Sequence, residues 1–361
     1  MNRGVYERIS EALDQLPNGF PKTESGVEIE IVKVMFTPQE AEVPSALSDS
    51  PKTPEQIAER VAYALDALGP MLDAMADKGQ VARVSRDGEG LFCLSPFVSA
   101  YDSAMSRLEG AAAHRLAHLM EEYIASTGGL VGIMTPEPAL HRVVPARNVP
   151  KSEWILPYDD VRAFLANAKS FALRDCVCRK QQDLLGDRKC KFPRRTCMHF
   201  SPFERPVGPD TISREQALAF LDEAEEMGLV HTVSNVAKGI NYVCNCCGCC
   251  CVVLRGIAEF GLTESVAHAN YFCDPDPATC AGCGTCVQRC QVGAISLADS
   301  VATVDKERCI GCGLCVTTCT TGAAQLRLKP KDKIVDPPDD VGAWSRARKT
   351  RRSAGSPQNI L

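Results

Sequence analysis

The alternation of apolar and polar positions in the first third of the chain predicts three helices, a strand and a hairpin. Residues 5–16 have helical spacing, whereas residues 27–35 alternate in a way typical of a strand. Thr53-Pro-Glu-Gln56 is a capping box with proline at the first helical position, so a helix is predicted to start there. A further helix is predicted at residues 71–78, followed by a hairpin with an Asp-Gly turn.

The order helix, helix, hairpin in residues 53–100 resembles a winged helix. This segment carries four Lys or Arg against seven Asp or Glu, a balance that repels phosphate. The whole chain has a formal net charge of -5, so nucleic acid is not expected as a partner. Packing or docking of a protein partner is the expected role.

The remaining pattern divides the chain into further parts. Residues 101–175 are predicted to be helical, with a last helix that starts near Tyr158 and ends before Cys176. A capping box at Ser213 predicts a helix that ends at Gly228, and a strand follows it. The basic tail is predicted to be disordered. The predicted parts are 1–52 (N-terminal segment and linker), 53–100 (winged-helix-like), 101–175 (helical), 176–272 (cysteine-rich), 273–328 (cluster-binding) and 329–361 (tail).

Composition adds one unusual feature, which is the cysteine content. Of 20 cysteines, Cys93 alone precedes Cys176, and the other 19 lie between Cys176 and Cys319. No apolar run is long enough for a membrane span, and the N-terminal residues lack the apolar core of a signal peptide. Thiols clustered in this way predict metal ligation in a reducing cytoplasm rather than disulfides.

Two cysteine runs repeat 29 positions apart. In each run, three cysteines at i, i+3 and i+6 can reach three corners of one 4Fe–4S cubane, and glycines let the backbone approach it. The fourth cysteine of such a run ligates the other cluster. Cluster A is therefore predicted to use Cys280, Cys283, Cys286 and Cys319. Cluster B is predicted to use Cys309, Cys312, Cys315 and Cys290. Zinc, which favours pairs of C-x-x-C knuckles, is the alternative.

These runs resemble the bacterial two-cluster 4Fe–4S ferredoxins over about residues 273–328. The family pattern continues each run with proline, where this chain has Gln291 and Thr320. More broadly, residues 53–328 resemble longer 4Fe–4S-binding redox proteins of anaerobic bacteria. The predicted fold class is α+β: a winged-helix-like and helical N-terminal region, a cysteine-rich region and a C-terminal dicluster ferredoxin-like domain.

Ten upstream cysteines suggest a further metal site. One hypothesis is a four-thiolate site made of Cys176, Cys178, Cys190 and Cys197. This site would hold a third iron–sulfur cluster or zinc, and the alternative is that these thiols bind no metal. A second group packs six thiols into eight positions: Cys244, Cys246, Cys247, Cys249, Cys250 and Cys251. This run could project thiols on both sides of a strand or converge three or four in a loop, and one site could share ligands from both groups.

Full ligation of the clusters by thiolate predicts an electron-transfer protein or oxidoreductase subunit. It would relay single electrons between a redox partner, a flavoprotein or metalloenzyme, and a low-potential carrier. The first alternative is a reductase with a catalytic cluster at residues 176–251. The second is a redox-sensing regulator. The sequence identifies no catalytic residue, and a role for His199 or His231 is less expected than a structural one.

Overall fold

The structure, a computed structural model, describes residues 4–86, 88–146 and 157–354. The chain divides into two compact units. Unit 1 comprises Met1–Pro136, Lys180–Asp187 and Arg348–Leu361, and unit 2 comprises Glu137–Arg179 and Arg188–Ala347. Every cysteine from Cys176 onward belongs to unit 2, so the predicted metal chemistry lies there.

Unit 1 is built mainly from helices around an aromatic centre. The rings of Phe20 and Phe97 stack with centroids 3.8 Å apart, and Tyr123 packs against both. Its first elements are α1 (Val5–Asp14), α2 (Val27–Met35), α3 (Pro38–Ala41), α4 (Pro54–Ala58), α5 (Leu65–Asp77), β1 (Val81–Arg86), β2 (Glu89–Leu94), α6 (Phe97–Arg107), α7 (Gly110–Ala125) and α8 (Gly129–Met134).

The strand predicted at residues 27–35 is wrong, because this segment is helix α2. Ile31, Val32 and Met35 are buried, and so is the carboxylate of Glu28, which accepts hydrogen bonds from the amide and hydroxyl of Thr23. Helix α2 packs against α1 and α7. Apolar contacts and a partner for its charged residue therefore override a pattern that by itself favours a strand.

The elements predicted within residues 53–100 are present, with changed bounds. The capping box at Thr53 is confirmed, but α4 ends at Ala58, and the buried stripe continues in α5 through Leu68, Leu72 and Met75. Strands β1 and β2 form the predicted antiparallel hairpin, whose turn residue Asp87 lies outside the described residues. The winged-helix interpretation stays a prediction.

Unit 2 contains a six-stranded antiparallel sheet with the order β3-β7-β8-β5-β4-β6. Helix α11 packs its Ala217 and Leu221 with buried sheet residues such as Met198 and Val243. The elements of this unit up to residue 258 are β3 (His141–Val144), α9 (Val161–Leu165), β4 (Ser170–Asp175), β5 (Arg195–Ser201), β6 (Thr211–Ile212), α11 (Arg214–Met227), β7 (Val230–Ser234), β8 (Tyr242–Cys246) and α12 (Val252–Ala258). Helix α10 (Val177–Leu185) begins in unit 2, and its residues from Lys180 onward belong to unit 1.

The sheet corrects the prediction that residues 101–175 are helical throughout. Strands β3 and β4 lie in this segment, and Cys176 follows β4 instead of a helix; residues 147–156 lie outside the described residues. Pairing of β4 with β5 and β6 supplies the hydrogen bonds that fix Ser170–Asp175 as a strand. The predicted helix ending at Gly228 and the strand after it are confirmed.

The remaining part of unit 2 consists of two short antiparallel pairs. Strand β9 pairs with β12, which brings the two ends of the cysteine repeat together, and β10 pairs with β11 between the two runs. The elements are β9 (Tyr271–Pro275), α13 (Thr285–Arg289), β10 (Ile295–Ala298), β11 (Val301–Val304) and β12 (Ala324–Leu328). Helix α14 (Val341–Ala354) begins in unit 2, and its residues from Arg348 onward belong to unit 1. Short 3-10 turns occur at Pro44–Ala46, Pro157–Asp159, Thr263–Ser265 and Lys331–Lys333.

The prediction of a disordered tail is wrong for residues 341–354, which form helix α14. Arg348 is fully buried and donates from Nε to the Pro17 carbonyl at 2.8 Å within unit 1. The composition of the tail concealed this anchor, because basic residues are usually solvated. Residues 355–361 lie outside the described residues. None of the helices in the described part of the chain combines the length and apolar character that a bilayer span requires.

Candidate metal centres

Two cavities in unit 2 are each lined by four cysteines of the repeat. Cavity A is lined by Cys280, Cys283, Cys286 and Cys319. Cavity B is lined by Cys309, Cys312, Cys315 and Cys290. In each case the fourth cysteine comes from the other run. These are the two sets of four that the sequence predicts, and ligation itself stays a prediction.

The two cavities differ in their exposure to solvent. Cys283 in cavity A is exposed, whereas Cys309 and Cys315 in cavity B are buried. Cavity B also has a fifth cysteine, Cys273 on β9, which is buried and contacts Cys315. Cavity A is therefore the one with a solvent-exposed cysteine.

Backbone amides donate to cysteine sulfurs at both cavities. The amide of Ala294 lies 3.2 Å from the sulfur of Cys290, and that of Ala324 lies 3.3 Å from Cys319. The amide of Ala302 lies 3.4 Å from Cys280. Such N–H groups stabilise negative charge on sulfur, so the cavities fit an anionic thiolate-bound cluster.

Burial adds a further indication that cavity B is suited to a cation. It raises the pKa of the Cys312 thiol well above its usual range, and the nearby Cys315 raises it further. Buried, crowded thiolates are costly unless positive charge offsets them. Iron bound by the four sulfurs would supply that charge, and the residues present fit it.

Gly311 allows the second run to pass close to β9. Its φ is +70°, and a Cβ at this position would lie 2.3 Å from the carbonyl oxygen of Tyr271. Gly322 has nearly the same φ of +71°, but a Cβ there would meet open space. Substitutions at Gly311 and Gly322 can therefore separate the effect of a steric clash from the effect of backbone strain.

We expect Gly311→Ala to lower the iron content by about four per chain, because cavity B cannot close around a cluster. Gly322→Ala should keep its iron, since it carries the same backbone strain without the clash. Iron and acid-labile sulfide of anaerobically purified protein measure the difference. Equal losses in the two variants would contradict a steric role for Gly311.

Upstream, four thiols form a compact group that we call the tetrad. All four sulfurs lie within 4.8 Å of one another, and the residues are Cys190, Cys247, Cys249 and Cys250. Cys190 lies in the segment between α10 and β5, and the other three lie in the turn that follows β8. Phe220 and Leu229 pack against the tetrad within one apolar cluster.

The other upstream thiols lie beside the tetrad in a chain of contacts. Strand pairing places Cys197 opposite Cys244, with their sulfurs 3.9 Å apart. Contacts between side chains then connect Cys244 to Cys246, Cys246 to Cys251, Cys251 to Cys178 and Cys178 to Cys176.

The predicted four-thiolate site made of Cys176, Cys178, Cys190 and Cys197 differs from this arrangement. Cys190 groups with the later run, while Cys197 faces Cys244 and lies 3.4 Å from Nε2 of His199. The reason is the pairing of β5 with β8, which fixes Cys197 in the sheet. The tetrad matches the alternative in which one site shares ligands from both groups. His231 hydrogen-bonds Asn245 and Glu225, which is a structural role.

Arg179 is a buried cation beside these thiols that sequence reasoning did not identify. It is fully buried, contacts the sulfur of Cys247, donates to the Asn245 carbonyl at 3.2 Å and lies over the Phe192 ring. Burial lowers its pKa, but the sulfurs of Cys176, Cys247 and Cys246 raise the pKa above its usual range. None of the ion pairs among the described residues joins it to a carboxylate, and the sulfurs of Cys176, Cys246 and Cys247 are the groups that favour its charged form. The sequence offered one signal for this role, which is the position of Arg179 directly after Cys176-Val-Cys178.

Gln291 connects the ferredoxin repeat to the tetrad. It stands where the ferredoxin pattern has proline, and its Oε1 accepts a hydrogen bond of 2.9 Å from the buried amide of Gly248. Its Nε2 donates to the Gly228 carbonyl at 2.8 Å. Gly248 is required there, because a Cβ would lie 1.8 Å from the backbone oxygen of Gln291.

We expect Gln291→Ala to destabilise unit 2 by about 1–3 kcal/mol, because the Gly248 amide loses its partner while remaining buried. Denaturant unfolding under anaerobic conditions measures this change. Gln288→Ala serves as the matched control, since Gln288 is exposed. If both variants unfold at the same denaturant concentration as the wild type, the bond contributes nothing to stability.

Comparison with known proteins identifies the class of the repeat. A family model described as a 4Fe-4S dicluster domain matches residues 276–323. That range contains all eight cysteines of cavities A and B. No curated protein and no solved structure matched the chain. Residues 276–323 are therefore a 4Fe–4S dicluster domain, and the upstream cysteine clusters lie outside the matched range.

Proposed function

We propose that this protein carries single electrons through two 4Fe–4S clusters, between a partner oxidoreductase and a low-potential carrier. The observation that supports this function best is the division of eight cysteines into two cavities of four. Four thiolates for each cluster leave no iron position for a substrate. Such clusters exchange one electron at a time.

The residues of the chain set the conditions for this exchange. The amides of Ala294, Ala302 and Ala324 donate to ligand sulfurs and stabilise the added negative charge. Burial of Cys309 and Cys315 excludes water from cavity B, whereas the exposed Cys283 brings cavity A to the surface. We propose that the partner, a flavoprotein or another metalloenzyme, docks at Cys283 and that cavity B lies further along the relay.

The proposed location is a reducing cytoplasm, and the proposed setting is an anaerobic bacterium. All twenty cysteines lie in described residues and none forms a disulfide. A cluster ligand as exposed as Cys283 is open to oxygen, which makes an oxygen-poor setting suitable. No nucleic-acid role is proposed.

Metal analysis and redox spectroscopy of anaerobically purified protein test the proposal. We expect at least about eight irons with matching sulfide, and paramagnetic signals from two clusters on reduction at low potential. Reduced protein should then pass electrons to an acceptor flavoprotein in stoichiometric amounts. Substantially fewer irons after reconstitution, or clusters that cannot be reduced reversibly, would contradict the proposed relay.

A further inference from the structure

The sulfurs of the tetrad are spaced like the corners of a small tetrahedron. Four of their separations are 3.9 Å for Cys190–Cys247 and 3.7 Å for Cys190–Cys250, Cys247–Cys249 and Cys249–Cys250. Zinc lies about 2.3 Å from each thiolate, so four thiolates around it are about 3.8 Å apart. These four separations match a single tetrahedral ion, and the other two, Cys190–Cys249 and Cys247–Cys250, are at most 4.8 Å.

The thiols of cavities A and B are spread more widely than those of the tetrad. Among the described residues, the tetrad is the one group in which three or more potential ligand atoms lie within 4.8 Å of one another. A cubane places each thiolate on a different iron, with sulfides between the irons, and so needs the wider spread. The tetrad is compact enough for one ion and too compact for a cubane.

We propose that Cys190, Cys247, Cys249 and Cys250 bind one structural zinc ion. Four soft thiolates in tetrahedral array suit zinc or iron, and zinc binds such a site more tightly than ferrous iron does. A site closed by four protein ligands is typical of structural zinc. The site lies outside the dicluster domain, so it does not depend on the proposed electron relay.

The surroundings of the tetrad suit a zinc ion bound by four thiolates. That complex carries a net charge of −2, and the buried guanidinium of Arg179 lies against Cys247 and offsets part of it. Phe220 and Leu229 keep water away from the sulfurs. Binding displaces the thiol protons and leaves the sulfurs as thiolates.

The ion would join two segments that lack regular structure of their own. Residues 187–193 contain neither helix nor strand, and Cys190 is their contribution to the tetrad. The other three ligands lie in the turn between β8 and α12. Zinc would therefore fix the first segment against the second, next to the Gly248–Gln291 bond.

Zinc, iron and sulfide content of the full chain, purified anaerobically, tests the site. We expect about one zinc per chain. Cys249→Ser should lose that zinc while retaining the iron, the sulfide and the cluster spectrum of the wild type. Cys93→Ser, which changes a cysteine on β2 in unit 1, should retain both metals and controls for adventitious binding.

Cobalt provides a second readout on the wild-type chain. Replacement of zinc by Co²⁺ should give the intense thiolate charge-transfer bands and the visible bands of a tetrahedral four-sulfur site. This result decides the question even if Cys249→Ser fails to fold. Three results would overturn the proposal: no zinc in the wild type, loss of iron with sulfide in Cys249→Ser, or an octahedral cobalt spectrum.

Discussion

Alanine at Cys319 is expected to empty cavity A and leave cavity B loaded, although Cys319 belongs to the second cysteine run. The side chain lines cavity A together with three cysteines of the first run. Iron and sulfide should each fall by about four per chain, because the substitution removes one of the four thiolates that would hold the cubane. Cys93→Ala should keep all of its iron and serves as the control.

Double variants make the crossed arrangement testable. Adding Cys283→Ala to Cys319→Ala should remove no further iron, because both residues line the same cavity. Adding Cys312→Ala should remove about four more, because Cys312 lines cavity B. The opposite pattern would mean that each run holds its own cluster with all four of its cysteines.

Arg179→Met is expected to lower the free energy of unfolding by about 3–5 kcal/mol. The substitution leaves the neighbouring thiolates buried without their cation, and breaking a buried charge pair has a cost of this size. It also removes the donor to the Asn245 carbonyl on β8. Denaturant unfolding in the presence of bound metal measures the loss.

The control for this change is Arg205→Met, because Arg205 is exposed in the loop after β5. The free energy of unfolding of that variant should lie within about 0.5 kcal/mol of the wild-type value. Arg179→Lys should recover part of the stability, since it keeps the charge but not the planar donor fork. A fully stable Arg179→Met would mean that the sulfurs around it are neutral thiols.

Local signals in the sequence predicted the elements with strong capping or turn chemistry. The capping boxes at Thr53 and Ser213 begin helices where expected, and Gly228 ends the second of these. Residues 27–35 show the limit of such signals, because their alternation fits a strand and tertiary packing makes them helical. Helix α14 was missed for a related reason: its buried arginine finds carbonyl partners that no local pattern reveals.

The same distinction applies to the metal sites. The dicluster domain was predictable because its ligands follow a fixed spacing within a short repeat. The tetrad was not, because it joins Cys190 to a run 57 positions away, and only the fold brings them together. The sequence allowed the hypothesis that one site takes ligands from both cysteine groups. It could not show which thiols do so, because that depends on the pairing of β5 with β8.

Helix α14 also affects the order in which the newly made chain can mature. Arg352 donates to the backbone oxygen of Asp14, and 338 residues separate the two. At a synthesis rate of about 5–20 residues per second, Arg352 is added to the nascent chain roughly 15–70 seconds after Asp14. The cysteine-rich segments leave the ribosome within this interval. Metal loading can therefore begin while the N-terminal helices still await their last partner.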